Sequence, residues 1–412
     1  MKSTQKKIKT LYINTTIAHY HEPIVRRLSN YDDIDLLVCI PSRPEVGPNV
    51  YSDLNKLTVR YVTLRNQLLL GYSHLSGLFS LIKKERPDVM IVVIEYLHLM
   101  YLDPRIFLYI KMYRIRIICK SIPFGLDNFD CAKKKIIDSI FGKDSKRVSW
   151  RGYSFDYKVG ILLNILRIFK LYLLRFAFKS VALHLNYIDN FDLWKSYGVS
   201  KDKIIKTGNA SDSDLLLAIA NSIKSYERPK DFKILHVGRL VQSKRVDLLI
   251  NAVFEISKLG KNINLDIIGD GPELDRLKEI VEKYDLTHKV SFKGAIYEAR
   301  VLGEFHRSAS VCVLAGMGGL TIYEAMCFGL PVICSVCDGT ERDLVTNGFN
   351  GFIFEQDSIV DLIRCIKLMM DSNEMLQSMS INSMNRIKNE YNINYVTNKY
   401  HDAILISFNS RF

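Results

Sequence analysis

The sequence lacks the cysteine pattern of a disulfide-stabilised or zinc-binding protein. Its 412 residues include eight cysteines, most of them inside apolar runs, and they form no framework of the kind that small secreted domains use. Cys334 and Cys337 make one CxxC pair, but no second pair and no histidine cluster accompanies it. We therefore expect neither a disulfide framework nor a bound metal.

The sequence has no apolar h-region near its start, where a basic stretch moves directly into a short strand-like run, so we expect no signal peptide. The longest apolar stretch, residues 158–181, is interrupted by four cations that would be costly inside a bilayer: Arg167, Lys170, Arg175 and Lys179. These observations predict a cytoplasmic protein. The four cations fall near one face at helical spacing, which indicates a basic amphipathic helix.

Two interpretations of this amphipathic helix remain open. It either contacts a membrane surface, or it packs on a sheet and turns a basic stripe to water. The run of cations just before it favours the membrane: Lys133, Lys134, Lys135, Lys143, Lys146, Arg147 and Arg151.

Acidic residues are scarce in the first half of the chain. Residues 1–230 hold 37 Lys+Arg against 21 Asp+Glu, whereas residues 231–412 hold 20 against 23, which together give the net charge of +13. A basic half requires an anionic partner: nucleic acid, a membrane surface or a phosphorylated substrate. The sequence has no aromatic RNA-binding motif and no helix-turn-helix signature, so we expect no nucleic acid.

Strand-like and helix-like segments alternate through both halves, which predicts an α/β protein with parallel sheets covered by helices. A length of 412 residues suggests two or three domains. The polar segment SYERPK at 225–230 marks the predicted boundary, and the pattern from Asp371 onward is helical.

One segment, VLAGMGGLTIYEAMCFGLPVI, predicts an anion site. An apolar run ends in Gly316, Gly318 and Gly319, and a helix-forming stretch with one acid, Glu324, follows. Glycines before a helix let a ligand approach the backbone, and the first turn of the helix offers unpaired N–H groups.

Three further loops are expected beside this one. HVGRLVQSK places Gly238, Arg239 and Lys244 after a strand, IIGDGPE adds Gly269, and VSFKG ends another strand. Because the carboxyl ends of parallel strands share one edge, all four loops should converge there. Arg239 and Lys244 are suited to a diphosphate, since a guanidinium can clamp two oxygens.

In this order the motifs VGRL…K, IIGDGPE, VSFKG, GL…YEAM.FGLPVI and DLVTNGFNGFIF resemble GT-B glycosyltransferases, specifically retaining glycosyltransferase family 4. The resemblance implies two Rossmann-like lobes that face each other across a cleft. Residues 1–228 would form the acceptor-binding lobe and residues 229–390 the nucleotide-sugar lobe, with a helix at 391–412 returning to the first lobe. The nucleoside-diphosphate sugar would be a substrate, and no cofactor or metal is implied.

The resemblance also implies roles for individual residues. Arg239 and Lys244 would hold the donor diphosphate and act catalytically by neutralising its charge. Glu324 would bond the ribose. The remaining donor-binding residues would line the phosphates and the base: Gly238, Gly269, Lys293, Gly294, Gly318, Gly319, Leu320 and Thr321. His19, His98 and Glu95 of the first lobe are candidates for acid–base work.

The sequence departs from the family at Gly316, where the family carries the first acid of a two-glutamate motif. Either Met317, Gly318 or the other lobe supplies the sugar contacts, or the donor is unusual, or activity is lost. The first lobe likewise has TTIAHYHEP where many members carry a double glycine.

The predicted function is transfer of a sugar from a nucleoside-diphosphate sugar to a growing, lipid-linked or oligosaccharide acceptor in surface polysaccharide synthesis. The basic lobe would contact the inner face of the cell membrane, making the protein peripheral there. The alternative is a degenerate GT-B protein that binds a glycan or a partner glycosyltransferase without catalysis.

Overall fold

The chain forms two compact α/β units in a computed structural model that describes residues 6–43, 57–69, 72–121, 126–141, 147–150, 153–223, 231–336 and 339–410. The first unit comprises Met1–Thr207 and Thr397–Phe412, and the second comprises Gly208–Val396. The predicted boundary segment at 225–230 lies outside the described residues.

The limits of the units differ from the predicted domain limits at 228/229 and 390/391. Helix α8, Ser213–Ser222, belongs to the second unit because it packs on two helices of that unit, α11 and α12, whose bounds are given below. The last helix, α16, runs from Ile393 to Asn409, so it begins in the second unit and ends in the first.

The first unit is built on an eight-stranded sheet in the order β10-β9-β6-β5-β1-β2-β3-β4. All neighbours are parallel except β3 and β4. A separate antiparallel pair joins β7 to β8. The strands are β1 Ile8–Ile13, β2 Ile34–Pro41, β3 Tyr61–Leu69, β4 Tyr72–Ser76, β5 Val89–Val93, β6 Arg116–Ser121, β7 Arg147–Trp150, β8 Tyr153–Asp156, β9 Leu183–Asn186 and β10 Ile204–Lys206.

Among the described residues of this unit, the helices between the strands are α1 Glu22–Ser29, α2 Leu78–Glu85, α3 Ile94–Leu102, α4 Pro104–Met112, α5 Phe129–Phe141, α6 Tyr157–Ser180 and α7 Phe191–Ser196. Central strands such as β5 (VMIVV) are buried at every position, as expected for a parallel sheet with helices on both faces.

The apolar run RPDVMIVVIEY changes from strand to helix. Strand β5 ends at Val93, and α3 begins at Ile94. Tyr96, Leu97 and Met100 are buried at helical spacing, so the second half of the run packs as a helix. Glu95 therefore lies in the first turn of α3.

The second unit contains a six-stranded, entirely parallel sheet in the order β13-β12-β11-β14-β15-β16. Its strands are β11 Phe232–Val237, β12 Ile263–Ile268, β13 Val290–Gly294, β14 Val311–Leu314, β15 Val332–Ser335 and β16 Gly351–Phe354. After α8, its helices are α9 Val246–Lys258, α10 Leu274–Lys283, α11 Ala299–Ser308, α12 Leu320–Cys327, α13 Thr340–Leu344, α14 Ile359–Met370 and α15 Asn373–Asn389. Pro272 immediately precedes Glu273, the N-cap of α10.

The strand order reverses once in each sheet. In the first unit β1 lies between β2 and β5, and in the second unit β11 lies between β12 and β14. Loops leaving the two strands on either side of such a reversal run in opposite directions, which opens a crevice at the carboxyl edge. Each unit therefore has one topologically defined place for a ligand.

Helix α6 turns an apolar side to solvent. Its exposed residues lie three and four apart and are mostly large and apolar: Ile165, Leu166, Phe169, Tyr172 and Phe176. Its other side packs on α3 and α5. Of the four cations of the predicted basic stripe, Lys179 is exposed, and Arg167, Lys170 and Arg175 are partly buried. Within the described ranges, no helix is long and apolar enough to cross a bilayer.

Candidate functional site

The loops after β11 and β14 touch at the strand-order reversal of the second unit. A Cβ at Gly316 would lie 2.1 Å from the carbonyl oxygen of Ser243 and 2.9 Å from Cα of Lys244. The Met317 N–H donates to that same Ser243 oxygen at 3.1 Å. Glycine is therefore required at position 316, since the backbone of the neighbouring loop occupies the place of a side chain.

Lys244 is held across this contact. It ends a 3-10 turn, Gln242–Lys244, and its Nζ donates to the carbonyl oxygen of Met317 at 2.5 Å. The ammonium thus lies between the loop that carries Arg239 and the loop that carries the glycine cluster. A cation in this position is suited to an anion bound in the crevice.

The loop after β12 packs equally closely on the loop after β11. A Cβ at Gly269, whose φ is +145°, would lie 1.9 Å from the carbonyl oxygen of Gly238. The Gly238 N–H donates to Ile268 O at 3.0 Å, and the Gly269 N–H donates to Gly294 O at 2.8 Å. The predicted loops after β11, β12 and β13 therefore form one connected backbone surface at the carboxyl edge.

Helix α12 begins at this surface. Its N-cap is Gly319, which has φ +58°, and no side chain caps the first turn. The first N–H groups of an α-helix, here those at Leu320 and Thr321, lack intrahelical partners and carry the positive end of the helix dipole. The arrangement of Gly318, Gly319 and the start of α12 matches a phosphate-binding helix N-terminus.

Arg239 supplies a second cation beside Lys244. It is partly buried, and the described part of the chain offers its guanidinium no ion pair. Arg245, six residues later, contrasts with it because it pairs with Asp247 at 3.2 Å and also with Asp357. Arg239 is therefore the guanidinium of this loop that remains available to a ligand.

Glu324 points from α12 to a hydroxyl that the sequence did not indicate. Ser211, just before α8, donates from Oγ to Oε1 of Glu324 at 2.7 Å. Burial raises the pKa of the Glu324 carboxyl, and the Ser211 hydroxyl opposes that shift. A carboxylate fixed in this way can accept hydrogen bonds from vicinal hydroxyls such as those of a ribose.

His236 is a further residue that the sequence did not single out. It is fully buried on β11, with Nδ1 bonded to the carbonyl of Val313 at 3.0 Å. Burial lowers its pKa to about 4, and the nearby Lys244 charge acts in the same direction. Nδ1 therefore donates, which leaves Nε2 as a buried acceptor beneath Gly238, without a partner among the described residues.

Lys293 and Gly294, which were predicted to lie near the base of the nucleotide, have different surroundings. The Lys293 ammonium lies 3.4 Å from Oδ1 of Asp266 in the middle of β12, and Lys233 contacts the other oxygen at 3.3 Å. Gly294, in contrast, lies at the carboxyl edge with open space where a Cβ would be. Lys293 is thus paired with Asp266, whereas Gly294 leaves open space for a ligand.

The first-unit candidates occupy different environments. His19 is exposed and packs edge-on against Tyr20 with ring centroids 5.3 Å apart. His98 is only 5 % exposed on α3, and burial lowers its pKa to about 4 with help from the charge of Lys170 on α6. His98 is therefore held neutral within the helix layer. Glu95 is exposed at the start of α3.

Two Rossmann-like units of this topology define a GT-B glycosyltransferase fold, as predicted. An Anabaena protein, HepE, solved in complex with UDP, superposes with a TM-score of 0.66 over 97% of this chain and 99% of that chain, at 14% identity. The similarity is thus one of fold. Residues 219–386 match the model for glycosyl transferases group 1.

Relatives match over limited stretches. The chain is 24% identical to a poly(ribitol-phosphate) alpha-N-acetylglucosaminyltransferase of Staphylococcus aureus over 247 residues, covering 54% of this chain and 50% of that protein. It is 31% identical to an uncharacterized glycosyltransferase of Haemophilus influenzae over 150 residues, 36% of this chain and 42% of that protein. The match therefore spans half or less of these relatives.

Proposed function

We propose that the protein is a glycosyltransferase that moves a sugar from a nucleoside-diphosphate sugar to a glycan in bacterial surface polysaccharide or teichoic acid synthesis. The observation that carries this proposal is the cradle in the second unit, where two cations, an uncapped helix N-terminus and a partly buried carboxylate lie at the strand-order reversal. The group 1 domain and the relatives support the same class of reaction.

In this proposal the second unit binds the donor. The diphosphate lies between Arg239, Lys244 and the start of α12, and Glu324 accepts from the ribose. Charge that develops on the leaving diphosphate is neutralised by fixed cations and N–H groups, so the reaction uses no metal. The donor phosphate assists deprotonation of the acceptor on the same face, which makes the enzyme retaining.

The first unit, in this proposal, binds a lipid-linked acceptor and rests on the cytoplasmic face of the membrane. The exposed apolar stripe of α6 supports membrane contact, because large apolar and aromatic side chains at helical spacing suit the headgroup boundary of a bilayer. Cations flank it: Lys179 is exposed, and Lys133 lies over the Tyr172 ring at 5.7 Å. This charge matches an anionic leaflet.

Substitution of the two cations tests the donor site. We expect Arg239→Ala and Lys244→Ala each to lower kcat about 10²–10³-fold, the range typical for loss of one preorganised charge-stabilising group. Arg300→Ala and Lys278→Ala are matched controls, since both side chains are exposed on helices of the same unit. Calorimetric titration with UDP, GDP and ADP identifies the base. Wild-type turnover in both Arg239→Ala and Lys244→Ala would exclude the proposed diphosphate site.

A second candidate function is a non-catalytic GT-B protein that binds a glycan or a partner glycosyltransferase. The specific observation in its favour is Gly316, where backbone fills the place of the family's first acid. Single-turnover assays separate the two functions. A protein that binds a nucleotide sugar but releases no nucleotide with any glycan acceptor would support the second.

A further inference from the structure

A buried lysine lies at the strand-order reversal of the first unit. Lys120 is the penultimate residue of β6 and is 5 % exposed. Tyr12 is the penultimate residue of β1, and the intervening strand β5 leads into Glu95. Tyr187 follows β9, the strand on the other side of β6. The sheet therefore brings these four side chains to one part of its carboxyl edge.

The lysine ammonium is held by neutral groups. Nζ donates to Tyr12 Oη at 2.8 Å and lies 3.1 Å from His21 Nε2, and those two groups are 2.7 Å apart. Asn14 Nδ2 donates to Tyr12 Oη at 3.3 Å. The Tyr12 and Tyr187 rings lie 5.5 and 5.8 Å from the ammonium. We call these five residues the Lys120 cluster: Tyr12, Asn14, His21, Lys120 and Tyr187.

No carboxylate of the described residues pairs with Lys120. Glu95 is near enough to favour its charged form, but its side chain is exposed. A buried ammonium without a counter-ion is costly, and proteins retain such a group where a ligand completes it. The loop between β1 and α1 also holds the buried Thr16 Oγ1, which has no hydrogen-bond partner in the described part of the chain.

A purely structural role for Lys120 does not explain why a charged side chain is buried here. Tyr12 and His21 already bond each other, so the Lys120 ammonium is not needed to satisfy either group. A methionine would fill the same space without the desolvation cost of a charge. Oriented donors at a strand-order reversal, where α/β proteins bind ligands, fit an anion.

We infer that the Lys120 cluster is an anion subsite of the first unit, and that it binds a phosphate group carried by the acceptor. The inference takes from the proposed function only that an acceptor binds to this unit. The phosphate comes from one of two sources: a phosphodiester within a polymeric acceptor, or the diphosphate of a lipid carrier. Both present the same chemistry to a single ammonium.

The affinity of the Lys120 cluster for a phosphate group should fall as pH rises. Burial lowers the pKa of Lys120 to about 7, against the opposing charge of Glu95. Tyr400 on α16 also belongs to these surroundings, because its ring centroid lies 6.2 Å from that of His21. The groups around the ammonium stay neutral near that pH, because burial raises the pKa of Tyr12, Tyr187 and Tyr400 and lowers that of His21. The ammonium is therefore present below about pH 7 and is lost above it.

Calorimetry on the full chain tests the inference with two probes, diglycerol phosphate as the phosphodiester and geranyl diphosphate as the lipid-type diphosphate. Lys120→Met should weaken binding of the recognised probe about tenfold or more, as expected when a buried charge-assisted hydrogen bond is lost. Lys83→Met, an exposed lysine of α2, should bind like wild type. Wild-type affinity for diglycerol phosphate should fall from pH 6 to pH 8.5, a range in which a diester keeps its charge.

UDP titration runs in parallel and reports on the donor site of the second unit. Loss of probe binding in Lys120→Met with unchanged UDP binding supports the subsite, and the stronger probe identifies the source of the phosphate. Equal probe affinity in wild type and Lys120→Met, or no probe binding by wild type that binds UDP, overturns it. Failure to bind any nucleotide counts against the proposed function, while the probes still decide the subsite. If Lys120→Met does not fold, the pH dependence of the wild type decides.

Discussion

Gly316 offers the sharpest test of the site, because the family's acid cannot be restored there without moving backbone. A Cβ would lie 2.1, 2.8 and 2.9 Å from the Ser243 oxygen, the Lys244 carbonyl carbon and Lys244 Cα. All three are main-chain atoms, so no flexible side chain can yield. The loop that carries Arg239 and Lys244 must therefore shift away from the loop after β14.

The cost follows from two terms. Overpacking of a close contact costs about 1–3 kcal/mol. The shift also breaks the Met317 N–H to Ser243 O bond, worth about 0.5–1.5 kcal/mol. We expect Gly316→Ala to lower the free energy of unfolding by about 2–4 kcal/mol, which for a unit of this size corresponds to a fall of roughly 4–16 °C in Tm. Gly316→Glu should lose at least as much.

Thermal unfolding and UDP titration of the full chain measure the two consequences. Because the Lys244 ammonium is anchored on Met317 O, displacement of the loop should weaken UDP binding as well as stability. Gly260→Ala is the control, since its φ of +73° is strained for alanine but its Cβ meets no atom within 4 Å. It should lose about 1 kcal/mol and keep its UDP affinity. Gly316→Glu with wild-type Tm and higher turnover would refute the reasoning.

Three further outcomes are expected. Ser211→Ala removes the hydroxyl that lowers the pKa of Glu324, so this carboxylate should become protonated at a higher pH than in wild type. On acidification, the UDP affinity of the variant should therefore begin to fall at a higher pH. UDP titrations from pH 7.5 down to 5 measure this, and coinciding curves for variant and wild type would contradict it. EDTA should leave the transfer rate unchanged, because Arg239 and Lys244 supply the positive charge, and a rate restored only by Mg²⁺ would show the opposite. Phe169→Ser with Phe176→Ser removes apolar area from the exposed stripe of α6 and should reduce sedimentation with anionic vesicles several-fold, whereas Ile381→Ser, an exposed apolar control on α15, should not.

The convergence of the donor loops could be predicted because it depends on local patterns and one rule. Glycine-rich turns after apolar runs mark strand ends, and parallel strands place those ends at one edge. The Gly238 N–H accordingly donates to Ile268 O, and the Gly269 N–H donates to Gly294 O, so that backbone hydrogen bonds join the three loops. The requirement for glycine at position 316 could not be predicted in the same way, since it depends on how closely the Ser243–Lys244 backbone approaches Gly316.

Features that depend on strand order or on packing partners could not be predicted from the sequence. Lys120 and Tyr12 are 108 residues apart and meet only because β6 and β1 are separated by β5 alone. Ser211 reaches Glu324 across 113 residues. The burial that holds His98 neutral in the helix layer likewise depends on packing partners from other parts of the chain. The strand-like run before it becomes a helix at Ile94 because tertiary packing decides the conformation of a uniformly apolar segment.

The two proposed anion sites, one at each strand-order reversal, are built from different chemical groups. In the second unit the anion cradle is mostly backbone: glycines without room for a Cβ, N–H groups at a helix start, and a lysine anchored on a carbonyl. Backbone groups cannot titrate, so diphosphate binding there should depend little on pH apart from Glu324. In the first unit the corresponding place is built from side chains around one ammonium with a pKa of about 7. If acceptor binding is the step that responds to pH near neutrality, the KM for acceptor should rise above pH 7 while the KM for donor stays constant. That separation follows from the fold, since it places rigid backbone at one site and a titratable group at the other.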